Sequence, residues 1–191
     1  MNILDEIENI FSPFLNYKAD GPADPIIDEF RAISLIKVVV YFESLVIDKL
    51  KAFLKGPNNT TNANTILNLF DINKDKKSEK IYSLFSAEPN SNGCIKKGFY
   101  CFLSPNFEDN LKSQFTKIKD ANSQNNDIFN KNFAECESDY LKLKSHRNKY
   151  AHIHRYSEFS MSLAELKRIA LNSSIYIQAF CDTLAIYTKD E

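Results

Sequence analysis

The sequence predicts an all-α protein, a bundle of about five to seven helices with a long central one, and three observations carry that prediction. Apolar residues recur in steps of three and four along most of the chain. Glycine (4) and proline (6) are scarce, leaving little of the turn chemistry that many short strands require. The apolar stretch at 26–55 is also too long for a strand, although its β-branched residues suit one. At 191 residues the chain fits one domain, 1–191, able to bury roughly 70% of the surface that its unfolded form exposes.

Taken in order, Ile3, Leu4, Ile7, Ile10, Phe11, Phe14 and Leu15 line one face of a first helix, with Asp5, Glu6 and Glu8 opposite. That acidic face suits docking on the core or a partner subunit better than a membrane surface, which favours lysine and arginine. Gly21-Pro22-Ala23-Asp24-Pro25 breaks the chain. The stretch 26–55 is apolar most of the way round, which places it at the centre of the bundle. A loop follows at 56–64, then short helices at 65–70 and 78–85. The segment 87–104 contains Asn92-Gly93 and predicts an excursion with a small hairpin near 94–103. Ser104-Pro105 predicts a helix start, with serine capping and proline in the first turn. Another helix carries Phe129, Phe133, Cys136, Tyr140, Leu143, Arg147, Tyr150 and His154 on one face. The last opens on a capping box, Ser162 to Glu165, and runs to Tyr187.

Composition narrows the function. A formal net charge of -1 argues against an indiscriminate coat of nucleic acid, so a polyanion would have to meet a local patch. The four cysteines form no C-x-x-C pair, and the acidic start, MNILDEIENIF, lacks a secretory pattern. Buried thiols and residence in the cytoplasm are the expectation, with no membrane span. All three histidines, His146, His152 and His154, fall in one segment with Lys142, Lys144, Arg147, Lys149 and Arg155, and no acid intervenes between Asp139 and Glu158. The lysines Lys142, Lys144 and Lys149 read as solvated cations favoured near a helix C-terminus. Arg147 differs, because it occupies an apolar position and a desolvated guanidinium needs a partner. Glu43 or Asp48 on the long helix could supply one, as could a molecule outside the chain.

The run Arg147-Asn148-Lys149-Tyr150-Ala151-His152 resembles the R-[polar]-x-x-x-H signature of the HEPN superfamily, and its local form is similar to the AbiU-like branch of abortive-infection proteins. Its place at the end of a long helix, before a loop and a final amphipathic helix, agrees with that resemblance. The resemblance implies a metal-independent endoribonuclease, a toxin or antiviral effector of the toxin-antitoxin kind. It would act as a homodimer on RNA, without a cofactor and with an antitoxin protein as a further partner. It casts His152 as the general base on a ribose 2′-hydroxyl, Arg147 as the phosphate ligand and Asn148 as its orienting group. Lys149, His154, Tyr150 and His146 become candidate substrate contacts, Tyr150 by stacking on a base. Some members carry a tyrosine two residues after the histidine, which a partner nucleotidyltransferase modifies. Here that position is His154, with Tyr156 nearby, so the resemblance does not extend to that control.

Spacing adds a constraint. Five residues of α-helix turn through about 500° and rise about 7.5 Å, leaving Arg147 and His152 roughly 140° apart. Either the helix breaks before His152, or a second copy brings its own pair alongside. Three other readings compete. A zinc site on His146, His152 and His154 lacks a cysteine or acid at ligand spacing. The calcium-loop likeness of Asp71-Ile72-Asn73-Lys74-Asp75 has Lys76 where glycine is needed and Tyr82 where a glutamate belongs. A non-catalytic HEPN module that binds nucleotide or RNA, or only dimerises, is the serious alternative.

Overall fold

The computed structural model describes residues 2–18, 25–55, 77–85, 95, 97–122, 130–153 and 161–188. Among these the protein is all-α, with seven helices: α1 (Ile3–Leu15), α2 (Pro25–Lys55), α3 (Lys77–Leu84), α4 (Lys97–Leu103), α5 (Phe107–Ala121), α6 (Phe133–Ile153) and α7 (Leu163–Ile186). The helix expected at 65–70, the loop at 56–64 and the calcium-like run at 71–75 lie outside the described residues.

The centre of the bundle is α7, and not the long α2 as expected. Helices α1, α2, α5 and α6 all pack on α7, and every residue from Ile169 to Ile177 is buried. By length and composition α7 could cross a bilayer, yet 78% of its apolar stretch is buried within the fold. Two kinds of residue let it serve as the hub. Ala170 and Ala179 admit close neighbours. The hydroxyls of Ser173 and Thr183 donate to the carbonyls of Ile169 and Ala179, each at 2.7 Å, so burial leaves them satisfied. Ser162 accepts from the Glu165 amide at 3.1 Å, the serine cap that the sequence predicts. By contrast α2 leaves Ile33, Ile36 and Val40 exposed along one side.

Aromatic rings fill the space around α7. Phe85, just after α3, lies 4.6 Å from Phe180 and 5.3 Å from Tyr140, centroid to centroid, and Phe107 lies 5.3 Å from Phe180.

Three expectations need correction. The hairpin near 94–103 is instead the helix α4, whose Tyr100 and Leu103 are buried three residues apart. A short apolar run fits either period, and here helix spacing matches the faces that must be buried. Ser104-Pro105 forms a turn, with the Ser104 carbonyl accepting from Phe107 at 3.1 Å, and α5 begins at Phe107. Finally, α6 begins at Phe133. Asn132 accepts from the Glu135 amide at 3.0 Å while Glu135 accepts from the Asn132 amide at 2.8 Å, a reciprocal cap that fixes the start. Of the cysteines, Cys136 and Cys181 are buried thiols as expected, whereas Cys101 is exposed.

Because Phe180 is fully buried among these rings, Phe180→Ala should cost about 3–5 kcal/mol. Urea unfolding followed by circular dichroism measures this as a lower midpoint at an unchanged slope.

Candidate functional site

The site grows out of the angle at which α6 is fixed. Asp139, 1% exposed, accepts from Lys131 Nζ at 2.6 Å and from Asn172 Nδ2 of α7 at 2.9 Å. Glu137, 2% exposed, accepts from the Tyr100 hydroxyl, which also meets Tyr176 of α7 at 2.8 Å. Tyr140 meets the hydroxyl of Tyr82 at 3.0 Å, tying α6 to α3. Sequence reasoning missed both buried acids. The signal was present, since Glu137 and Asp139 stand three residues and one residue before Tyr140, beside the apolar face of the helix.

With α6 so held, the last three turns of the helix run beside α2. Arg147 Nη2 donates to Glu43 Oε2 at 2.8 Å, and Nη1 donates to Asn148 Oδ1 at 3.1 Å. Glu43 is thus one of the two acids that the sequence offers as the partner for Arg147. The two side chains are 29% and 31% exposed, so the pair is half-buried rather than sealed. Only one nitrogen of the guanidinium meets Glu43, and Nε is buried without a hydrogen-bond partner among the described residues. The guanidinium therefore keeps donor capacity that the described residues do not use.

Lys144 departs from the expectation of a solvated cation. Its Nζ donates to the Phe85 carbonyl at 3.0 Å and sits 4.3 Å from the centroid of the Tyr82 ring. Burial pushes its pKa down to about 8; Glu43 opposes that shift and Arg147 adds to it. The signal for its burial was its place four residues after Tyr140 and three before Arg147, on the edge of the apolar face. Burial likewise raises the Tyr82 hydroxyl to about 12, against the hydrogen bond from Tyr140. Glu43, Ile47, Glu79, Tyr82, Ser83, Lys144 and Arg147 line an open groove of about 470 Å³. Two cations, one of them short of acceptors, share this half-open space with two acids, Glu43 and Glu79. The unused guanidinium donors can take an anionic group.

The other candidate residues are only partly assembled there. Asn148 is exposed and contacts the groove through Arg147. Lys149 is exposed, as expected of a solvated cation. Tyr150 packs on the core rather than in the groove. His146 is half-buried and does not line the groove; burial lowers its pKa, as do Lys149 and Lys142. His152 lies in the last turn of α6, which runs unbroken from Phe133 to Ile153. Its side chain, and His154 entirely, lie outside the described residues. Of the two ways to bring Arg147 and His152 together, a helix break before His152 is therefore excluded. Among the described residues no three histidine, cysteine or acidic side chains gather at metal-binding distance. No family model, curated protein or solved structure matches this chain.

Lys144 reports on the charges of the groove. Glu43→Gln removes the charge that favours its protonated form and should move its pKa below about 8, while Arg147→Gln should move it upward. Carbon-13 spectra of the reductively methylated lysine, titrated with pH, read both directions. Since the folded value lies below the ordinary 10.5, the unfolded chain binds more protons between about 8 and 10.5, and this group's contribution to stability rises with pH across that window.

Proposed function

We propose that the protein is a metal-independent endoribonuclease of the HEPN type, a toxin or antiviral effector of the AbiU-like kind that acts as a homodimer in the cytoplasm, with an antitoxin protein as its restraint. One observation carries the reading: the arginine of the Arg147–His152 motif lines an open groove with donor capacity to spare among the described residues, on an unbroken helix that also carries the histidine.

In this mechanism His152 takes the proton from a ribose 2′-hydroxyl. The 2′-oxygen attacks the phosphorus, the bond to the 5′-oxygen breaks, and the partner's His152 returns a proton to that oxygen. The products are a 2′,3′-cyclic phosphate and a 5′-hydroxyl. A positioned acid or base contributes roughly 10²–10⁴ in rate. Arg147 stabilises charge on the phosphate through the donors that Glu43 leaves unused, and Asn148 holds the guanidinium in place. Lys144 adds positive potential beside it.

The ion pair with Glu43 favours a second reading, because it accounts for Arg147 without any catalysis. In that reading the groove binds RNA or a nucleotide, or serves dimerisation, and nothing is cut. Incubation with RNA in the presence of chelator separates the two. The ribonuclease reading expects cyclic-phosphate ends, no cleavage of DNA, loss of cutting in His152→Ala, and a fall of about 10²–10³ in Arg147→Ala. Wild-type protein that retains RNA but leaves it intact would establish the binding module instead.

A further inference from the structure

The exposed side of α2 carries an apolar ridge. Ile26, Ile33, Val40 and Ile47 follow one another at intervals of seven residues, and Ile36 fills the gap beside them. Ile26, Ile33, Ile36 and Val40 are exposed, Val40 by 51%, and Ile47 is half-buried. A step of seven keeps residues on one seam of a helix and is the spacing by which helices pack on one another. Four large aliphatic side chains left in water along one seam are unlike isolated surface leucines, which need no explanation. The ridge lies between two hollows. On one side α1 flanks it, with Glu6, Asn9, Lys37 and Tyr41 around a space of about 370 Å³. On the other side lies the groove of Glu43, Lys144 and Arg147.

We infer that this ridge is the contact surface for a second copy of the same chain, whose α2 packs antiparallel across a two-fold axis at Val40, so that the two Arg147 grooves open along the same edge of the dimer. The surface is complementary to itself. An axis at Val40 sets each residue opposite the one equally far along on the other side. Val40 meets the partner's Val40 and Ile33 meets the partner's Ile47, an apolar match of the kind that helix seams use. Glu29, exposed and without an ion-pair partner among the described residues, meets the partner's Lys51; within one chain Lys51 makes only a long, solvent-exposed contact with Asp48, at 3.3 Å, which can yield to it. Lys37, also exposed, falls about 7.5 Å along the axis from the partner's Asp48, within the reach of a lysine side chain. A parallel pairing would set Glu29 on Glu29 and Lys51 on Lys51, opposing like charges.

The antiparallel arrangement has a geometric consequence. A two-fold axis that lies in the contact plane and crosses the helices keeps each flank of the ridge on its own side. Both Glu43–Arg147 pairs therefore lie on the same flank, with the two Glu43 positions about 9 Å apart along the helices. A parallel dimer would send them to opposite faces. The interface itself stands apart from the ribonuclease reading; that its shared edge holds one phosphodiester rests on that reading.

Sedimentation velocity and cysteine cross-linking test the interface. Wild-type protein should sediment as a dimer. Val40→Glu, at an exposed position that should leave the fold intact by circular dichroism, should weaken the dimer by about 100-fold or more, because two unpaired carboxylates would be forced together. Val40→Cys should form a disulfide between the two copies of residue 40, identified by peptide mapping against native Cys101. Glu29→Lys and Lys51→Glu should each weaken the dimer several-fold, and the two combined in one chain should restore it. Monomeric wild-type protein, a dimer indifferent to Val40→Glu, or failure of Val40→Cys to cross-link would each overturn the inference, whatever an RNA assay gives. A dimer with all these responses that cuts no RNA would keep the interface and remove the nuclease.

Discussion

The architecture depends on burying the middle of α7, from Ile169 to Ile177, on every side. A helix so placed loses most of its contact with water, so each buried polar group on it must find a hydrogen-bond partner inside the protein. Ser173 and Thr183 solve this locally by bonding to their own helix. Asn172 and Tyr176 instead reach outward, to Asp139 and Tyr100. Those outward bonds fix which way α6 faces, since an alternative rotation of α6 would leave a carboxylate buried without partners, a change that costs several kcal/mol. Aromatic packing alone would tolerate more freedom, because rings slide over one another at small cost.

The orientation of α6 in turn decides the chemistry of its C-terminal half. Once Tyr140 is locked to Tyr82, the residues one and two turns later, Lys144 and Arg147, must lie against α3 and α2. Lys144 becomes a desolvated amine and Arg147 a half-buried guanidinium with a single acidic contact. The same geometry explains why His146 stands outside the groove. One residue of helix is about 100° of rotation, so the neighbour of a groove-facing arginine cannot share its direction.

Much of this was legible in the sequence, and the failures have a common physical origin. Periodicity shows which face of a helix is apolar, and it gave α1, α2, α6 and α7 with Ser162 as a cap. The misfit of Arg147 on an apolar face was enough to call for a partner and to offer Glu43 or Asp48 on α2, or an outside molecule; the structure supplies Glu43. Periodicity does not say which neighbour lies against a face. That is why the apolar α2 was placed at the centre, although α7 occupies it and α2 keeps Ile33 and Val40 in water. Lys144 was misread for the same reason: the carbonyl of Phe85 that accepts its proton is fifty-nine residues away in sequence. For α4, a run of seven residues is too short for the two periods to be told apart, and the buried neighbours of Tyr100 and Leu103 decided it.

A single copy of the chain leaves the motif unfinished in a way that can be stated geometrically. Along an unbroken helix the Cα atoms of Arg147 and His152 stand about 7.5 Å apart in height and roughly 140° apart in direction. The guanidinium meets Glu43 on α2, and the backbone position of residue 152 falls on a different side of α6. On the proposed ribonuclease reading, a phosphodiester resting against Arg147 would therefore draw its imidazole from another chain. The ridge on α2 adjoins the groove, since Ile47 belongs to both and Glu43 lies three residues after Val40. Residues that hold two copies together along this seam and residues that grip an anion would then share one helix, and a change in the contact at Val40 would be felt three residues later by the carboxylate that holds Arg147. On the proposed reading, this closeness would make assembly a condition of the chemistry rather than a background to it.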